Sequence, residues 1–459
     1  MKKITLKVSL LAVSLSASMF ASASTTIFSN VDIFNGTENK LYEDHHVLIE
    51  GNKITKISSS AISADGATVI DGQGKTLMPG LIDAHTHMNL NVVGGVGGLE
   101  HATWDKIGAR AAYMAQEYLA MGFTSVREMG GSGSGLKETI DDGLIEGPRI
   151  YPSGAILTQT SGHGDLRSRS QRNPVLTPYV DSNAERLGLT ITADGADRML
   201  AAARQNFSQG ASQLKIMAGG GVASILDPLH TLQFTPREIE AAVAAADDWD
   251  TYVAAHVFSD EGINRCIDAG VKSIEHGFFA SKETMQKMKD NDVYLVAQVT
   301  GISPYLQQLP ALQAGPNKAK LAKATTLSQD FVQNVKEIQP KFVFQTDAVF
   351  NTGPALRSQV DYEKWFHAEL FGNFEMLRAS TSTAGELLAL SGESNPYPGK
   401  LGVVEVDAYA DLLLVDGNPL EDISVIGGNS KWFDAKPRDK DIKTIKIIMK
   451  DGVIYKNTL

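Results

Sequence analysis

A single cysteine, Cys266, stands in a chain of 459 residues, so no intrachain disulfide can form. Stability must come from packing and from bound groups. Basic residues are also short: 42 Lys and Arg against 53 Asp and Glu leave a formal net charge of -11, with no basic run to offset it. Phosphate backbones require a basic face, which argues against nucleic acid as a partner. Long apolar runs are missing as well. The one apolar stretch, at the N-terminus, is short and broken by serines, and no later segment offers about twenty uninterrupted apolar residues.

What is present reads as an ordinary globular composition, 43% hydrophobic and 21% charged, long enough for one large domain and a smaller one. Met1-Lys2-Lys3, an apolar stretch through Leu10, Leu11, Val13, Leu15 and Phe20, and Ala21-Ser22-Ala23 form the three parts of a secretory signal peptide over residues 1–23. Its removal would leave no membrane span, and the mature chain is expected in the periplasm or secreted. Cys266 lies on an apolar and polar helix face, which predicts a buried, inert thiol.

Short alternating segments at both ends predict strands: Thr26 to Phe34, Val47 to Ile54 and Ala67 to Asp71 at one end, Asp411 to Val415, Ile442 to Met449 and Gly452 to Tyr455 at the other. Both ends would pack together as one discontinuous β-sandwich domain, residues 24–77 with 396–459, burying edges that neither end covers alone. Between them, over 78–395, strands alternate with helical stretches such as 104–121 and 235–246, the latter opening on the capping sequence Thr235-Pro236-Arg237-Glu238. Strands are expected at Leu81-Ile82, 124–127, 149–152, 213–217, 252–256, 273–276, 293–297 and 341–345. Eight such units close most economically as a (β/α)8 TIM barrel, with chemistry at the strand C-terminal ends.

Residues able to bind metal fall at those ends. His85 and His87, spaced i, i+2, follow the first strand in Leu81-Ile82-Asp83-Ala84-His85-Thr86-His87 and point the same way by strand periodicity. Lys215 lies in the fourth strand, His256 follows the fifth, His276 the sixth and Asp347 the eighth. Four of the ten histidines of the chain occupy such positions. Taken singly, each has a structural explanation; as a set on one face of one fold they point to a site. The Gly219-Gly220-Gly221 run lacks the Lys-Ser/Thr of a phosphate loop, so it predicts close backbone approach near that site. His101 and His230 read as loop residues, and His45, His46 and His367 have no evident partner.

Together with Gln213 to Val222, Ala255-His256, Ser273 to Gly277 and Gln345-Thr346-Asp347-Ala348, this pattern resembles the amidohydrolase superfamily of metal-dependent hydrolases. Within it the motifs are similar to the branch of bacterial Xaa-Pro and Xaa-Arg dipeptidases and ochratoxin-hydrolysing amidases. The resemblance implies two divalent metal ions, of which imidazole and carboxylate ligands suit Zn2+. His85, His87 and Asp347 would hold one, His256 and His276 the other, and Lys215, as N6-carboxylysine, would bridge them. An unmodified ammonium cannot ligate a cation, whereas a carbamate offers two anionic oxygens. The resemblance further implies a hydroxide shared by the metals attacking the substrate carbonyl, with Asp347 taking its proton and passing it to the departing amine.

His163, in Thr160-Ser161-Gly162-His163-Gly164-Asp165, matches a family loop histidine that contacts the substrate or its oxyanion. The following segment, 166–194, carries Arg167, Arg169 and Arg172, read either as a lid meeting a substrate carboxylate or as a solvated basic loop. The chain departs from the family at Phe258, where relatives commonly place a tyrosine or histidine. The function expected is an exported amidohydrolase acting on dipeptides or N-acyl amino acids, small molecules being its partners beside a homo-oligomer. Hydrolysis of a cyclic amide, carbamate or lactone is the neighbouring reading, and a non-catalytic periplasmic binding protein the alternative of another class.

Overall fold

The computed structural model describes residues 25–91, 98–173, 176, 182–224, 227–309, 312–313, 315–349 and 351–459; the expected signal peptide lies outside them. Strands β1 (Thr25–Ile33), β2 (Tyr42–Glu50), β3 (Lys53–Ser58) and β4 (Thr68–Pro79) come first. Then follow β5 (Leu81–Thr86), β6 (Phe123–Glu128), β7 (Arg149–Pro152), β8 (Ile156–Thr158), β9 (Thr190–Thr192), β10 (Leu214–Met217), β11 (Val253–Val257), β12 (Ser273–His276), β13 (Tyr294–Ala297) and β14 (Lys341–Phe344). The C-terminal segment adds β15 (Leu412–Val415), β16 (Ile445–Lys450) and β17 (Val453–Asn457).

Both chain ends meet in one mixed sheet of seven strands, ordered β17-β16-β15-β4-β1-β2-β3. The strands of the two ends are hydrogen-bonded in one continuous order among the described residues. Its centre is the antiparallel pairing of β15 on β4, with Leu413 opposite Met78. Side chains alternate faces along a strand, and both faces are covered here. Leu77, Leu412, Leu414 and Ile447 enter a core inside the sheet unit, while Met78, Leu413, Val415 and Ile448 enter the core shared with the central helices. That is why Leu412-Leu413-Leu414-Val415 is apolar without a break; each such side chain contributes about 1.5–3 kcal/mol on burial.

The middle of the chain is a parallel α/β assembly. A seven-stranded parallel sheet runs β14-β13-β12-β11-β10-β8-β9, and a three-stranded one β5-β6-β7. The seven later strands expected from the sequence are present within a residue or two, but the third is interrupted: β7 pairs with β6, and after Ser153 to Ala155 the chain resumes as β8 against β10. Strands of three residues such as β8 and β9 are too short for period-two alternation to show. The last strand returns to the first through Asp347 N–H donating to His85 O at 2.9 Å and His87 N–H to Ala348 O at 3.3 Å.

Helix Trp104–Ala120 buries Ile107, Ala111, Met114, Ala115 and Tyr118, the i, i+4, i+7, i+8, i+11 stripe of an amphipathic helix, and stops at Gly122, whose φ of +89° suits glycine. Helix Pro236–Asp247 begins as its capping sequence implies, with the Glu238 carboxylate accepting from Thr235 N–H at 2.7 Å and the Thr235 hydroxyl at 2.8 Å. Cys266 is fully buried on helix Asp260–Asp268, and burial pushes its thiol up to about 12, as befits an inert group. None of the helices among the described residues is long and apolar enough to cross a membrane.

His367, on helix Gly353–Phe371 behind β14, is fully buried against the rings of Phe342 and Phe371, and neither ring nitrogen has a hydrogen-bond partner among the described residues. Burial pushes its imidazole down to about 3. Between that value and the ordinary one near 6.5 the unfolded chain takes up a proton that the folded chain refuses, so this residue costs stability progressively as pH falls through the window. His367→Phe should therefore lose less unfolding free energy than wild type between pH 7 and pH 4.5 in urea titrations; an identical loss would refute this origin of acid sensitivity.

Candidate metal centre

Parallel register brings the candidate ligands to one level. Met217 lies opposite His256 on β10 and β11, and Val257 opposite His276 on β11 and β12, so the C-terminal ends of these strands line up. There the Nε2 atoms of His85 and His87 are 3.1 Å apart, and Asp347 Oδ1 lies 3.7 and 3.4 Å from them. Lys215 Nζ is 3.3 Å from His85 Nε2. The His276 ring is centred 5.2 Å from that of His85 and 4.6 Å from that of His256. All six residues singled out by the sequence converge.

Two of them are held in the left-handed backbone region that non-glycine residues avoid: His276 has φ +72° and Asp347 φ +48°. Each has a local clamp. Asp347 N–H bonds His85 O, and Gly277 N–H, next to His276, bonds Val257 O at 3.1 Å. Asp83 ties the first and last strands from below, accepting from His85 N–H and Thr346 N–H at 3.1 Å each and from the Thr346 hydroxyl at 2.5 Å.

Burial dominates the electrostatics. It drives His85 and His256 well below the usual imidazole range and takes His276 down to about 4 against the opposing charge of Asp347, so these rings are neutral and offer lone pairs. Burial also brings Lys215 down to about 8, although Glu275 and Asp347 pull the other way. For Asp347, the rise due to burial is outweighed by its contacts with His87, His276 and Lys215, and the carboxyl stays below its ordinary value.

A buried ion pair sets the tautomer of His85. Glu275 Oε2 accepts from His85 Nδ1 at 2.7 Å, so Nε2 carries the lone pair that faces His87 and Asp347. Arg127 holds Glu275 with Nη2 at 2.8 and 2.9 Å from the two carboxylate oxygens. His276 Nδ1 meets Gln298 Oε1 at 2.8 Å, and Gln298 Nε2 donates to Asp347 Oδ2 at 3.0 Å. His256 Nε2 is buried without a hydrogen-bond partner among the described residues. Neutral imidazoles crowded with their lone pairs inward, a carboxylate, and an orphaned buried nitrogen suit a divalent cation such as zinc.

The outlying residues divide. The His163 ring stacks on His256 with centroids 4.1 Å apart and planes at 13°, which brings it into the site. Arg167 is buried and bonded to its neighbour Asp165, Nε to Oδ1 at 2.7 Å and Nη2 to Oδ2 at 2.5 Å. Phe258 supplies an apolar wall, its ring edge-on to His276 at 5.3 Å and tilted to His256 at 4.9 Å. The glycine run makes the expected close approach: a Cβ on Gly220 would stand 2.2 Å from Pro228 O, and one on Gly221 2.0 Å from the His163 ring. His101 and His230 are exposed.

Sequence reasoning missed Arg127, Glu275, Asp83, Gln298 and Asp227. Arg127 and Glu275 stand among polar neighbours, in Phe-Thr-Ser-Val-Arg-Glu and Ser-Ile-Glu-His, and so left no clear signal. Asp227, sixty-four residues from the His163 it binds, left none.

An α/β enzyme with a His–His–Asp group able to hold a divalent cation is the class that this fold and site define. The chain matches the amidohydrolase family over residues 76–454 and belongs to it. It is 33% identical over 364 residues to the ochratoxinase of Aspergillus niger, covering 76% of this chain and 72% of that protein. A crystal structure of a prolidase complexed with N-methylphosphonate-L-proline superposes with a TM-score of 0.82 at 30% identity, covering 95% of this chain and 100% of the other. One of a Xaa-Pro dipeptidase with bound methionine in the active site gives 0.79 at 27%, with the same coverage. The protein is a hydrolase acting on amide C–N bonds, in a family that generally uses divalent metals.

Because Glu275 orients His85, Glu275→Gln should weaken zinc binding about 10- to 100-fold in chelator competition. Unchanged affinity would show that the ring needs no such partner.

Proposed function

We propose that this chain is an exported, binuclear metal-dependent amidohydrolase that cleaves the amide of dipeptides or N-acyl amino acids. Its scaffold in this reading is a closed (β/α)8 barrel over residues 78–395, braced by a β domain of residues 24–77 and 396–459, and it works in the periplasm or outside the cell. The observation that carries the reading is the convergence of His85, His87, Lys215, His256, His276 and Asp347 at aligned strand ends. The prolidase and Xaa-Pro dipeptidase among its structural neighbours support the dipeptide substrate class.

His85, His87 and Asp347 would hold one zinc ion and His256 with His276 the other, with Lys215 between them as N6-carboxylysine. Burial brings Lys215 down to about 8, so a useful fraction of its amine is free to add to carbon dioxide near neutral pH. Bound zinc would lower the pKa of water and polarise the scissile carbonyl. The Asp347 side chain keeps 26% of its surface exposed where His85 keeps 1%, so it is the ligand that solvent and substrate can reach. It accepts the proton of the attacking water and returns it to the leaving nitrogen, one carboxylate serving first as base and then as acid. Gln298 Nε2 donates to Oδ2, while Oδ1 faces His87 and His85, so the carboxylate is held at both oxygens.

His163, whose ring stacks on His256, would meet the substrate. Phe258 and the adjacent Phe278, with rings 5.6 Å apart, favour an apolar substituent on the substrate over a hydrogen-bonding one. A substrate carboxylate would compete with Asp165 for the Arg167 guanidinium.

The test is mass-spectrometric screening of zinc-loaded protein against Xaa-Pro, Xaa-Arg and Xaa-hydrophobic dipeptides, N-acyl amino acids, lactones and cyclic amides, with the Asp347→Asn variant alongside. Cleavage confined to linear amides that release an amine beside a free carboxylate, abolished by chelation, is expected. Cleavage of rings alone would overturn the substrate class. Asp347→Asn should keep its fold and much of its metal while kcat falls by about 10²–10⁴; near-normal turnover would sink the proton-transfer role.

A further inference from the structure

His163 is fixed from five directions, more than a loop side chain needs for stability alone. Its Nδ1 lies 2.8 Å from Asp227 Oδ2 and 3.1 Å from Ser224 Oγ. Its backbone N–H donates to Gln233 Oε1 at 2.8 Å. One ring face stacks on His256, and the ring lies so close to Gly221 that any Cβ there would collide with it.

Asp227 is itself built in. It is 1% exposed, and the Oδ2 that meets His163 also accepts from Gly221 N–H at 2.8 Å, so one carboxylate oxygen fixes both the ring and the backbone it rests on. The loop carrying Asp227 is latched from elsewhere in the fold. Lys320, on helix Gly315–Leu327, donates through Nζ to Gly221 O at 3.0 Å, Ser224 O at 2.8 Å and Asp227 O at 2.6 Å.

We propose that Asp227 is a positioning residue for the hydrolysis: it bonds His163 Nδ1–H, so that the ring is held at one angle and Nε2 is the nitrogen left to face the substrate. The inference rests on His163 being a substrate contact. Chemically it repeats the logic of a carboxylate-oriented histidine, here on a side chain that stacks against a candidate ligand without being one. Asp227 never touches substrate; it acts through the angle and tautomer of one ring. A shift of about 1 Å in such a group costs roughly 10² in rate.

The experiment is a double-mutant cycle on the zinc-loaded protein, with Leu-Pro and N-acetylphenylalanine as substrates. Asp227→Ala should lower kcat about 100-fold with little change in KM, and Asp227→Asn, which keeps an acceptor for Nδ1–H, should recover part of that loss. In a His163→Ala background, Asp227→Ala should have no further effect. An equal loss in both backgrounds would overturn the proposal, since Asp227 would then act by another route. A second readout needs no turnover: 15N–1H spectra of histidine-labelled protein, with the His163→Ala spectrum assigning the signal, should show the Nδ1–H form in wild type and its loss in Asp227→Ala. An unaltered His163 signal in Asp227→Ala would also overturn it. Wild-type protein that cleaves neither substrate would count against the function proposed above, while the spectra would still decide the role of Asp227.

Discussion

Arg127 and Glu275 form an ion pair with no solvent exposure, and the geometry of the site hangs on it. Placing two charges inside a protein costs several kcal/mol each unless every polar atom finds a partner. Here they do. Arg127 donates Nε to Ala84 O, Nη1 to the Tyr252 hydroxyl and Ser273 Oγ, and Nη2 to Glu275, while Glu275 also accepts from Ser273 and His85. These partners come from β5, β6 and β12 and from the residue before β11. The pair therefore draws four strands together from inside and ends on one nitrogen of a candidate ligand, which makes packing and ligand orientation one constraint.

Strain at the site is compatible with that rigidity. His276 and Asp347 occupy backbone conformations that cost of order 1–3 kcal/mol each, and they persist because neighbouring strands bond the adjacent amides. The sheet unit braces the opposite end. β4 ends one residue before β5 begins, Gly80 N–H bonds Asp411 O at 2.8 Å, and Arg149 at the start of β7 is forked onto Asp411 and bonded to Asp451. The bracing contacts thus lie where the strands start and the candidate site where they finish.

Much of the fold could be read from residue order. The strands β5, β6, β7, β10, β11, β12, β13 and β14 are short segments that alternate with helical stretches along the chain, and the six convergent residues follow from their position at strand ends. The interruption of the third strand into β7 and β8, and the short β9, could not be read, because three residues carry no period. The pairing of both ends through β15 on β4 spans more than three hundred residues, and hydrophobic alternation alone does not say which strands are neighbours.

By itself the sequence determined the alternation of strand and helix, the ligand-type residues at strand ends, and an apolar residue at position 258, since each is a local property of residue type and spacing. Only the tertiary structure decided which nitrogen of His85 faces inward, that Arg167 is bound to Asp165, and that Asp227 reaches His163. Those outcomes depend on which distant groups share a buried volume, where an unpaired charge or amide is costly enough to dictate its partner.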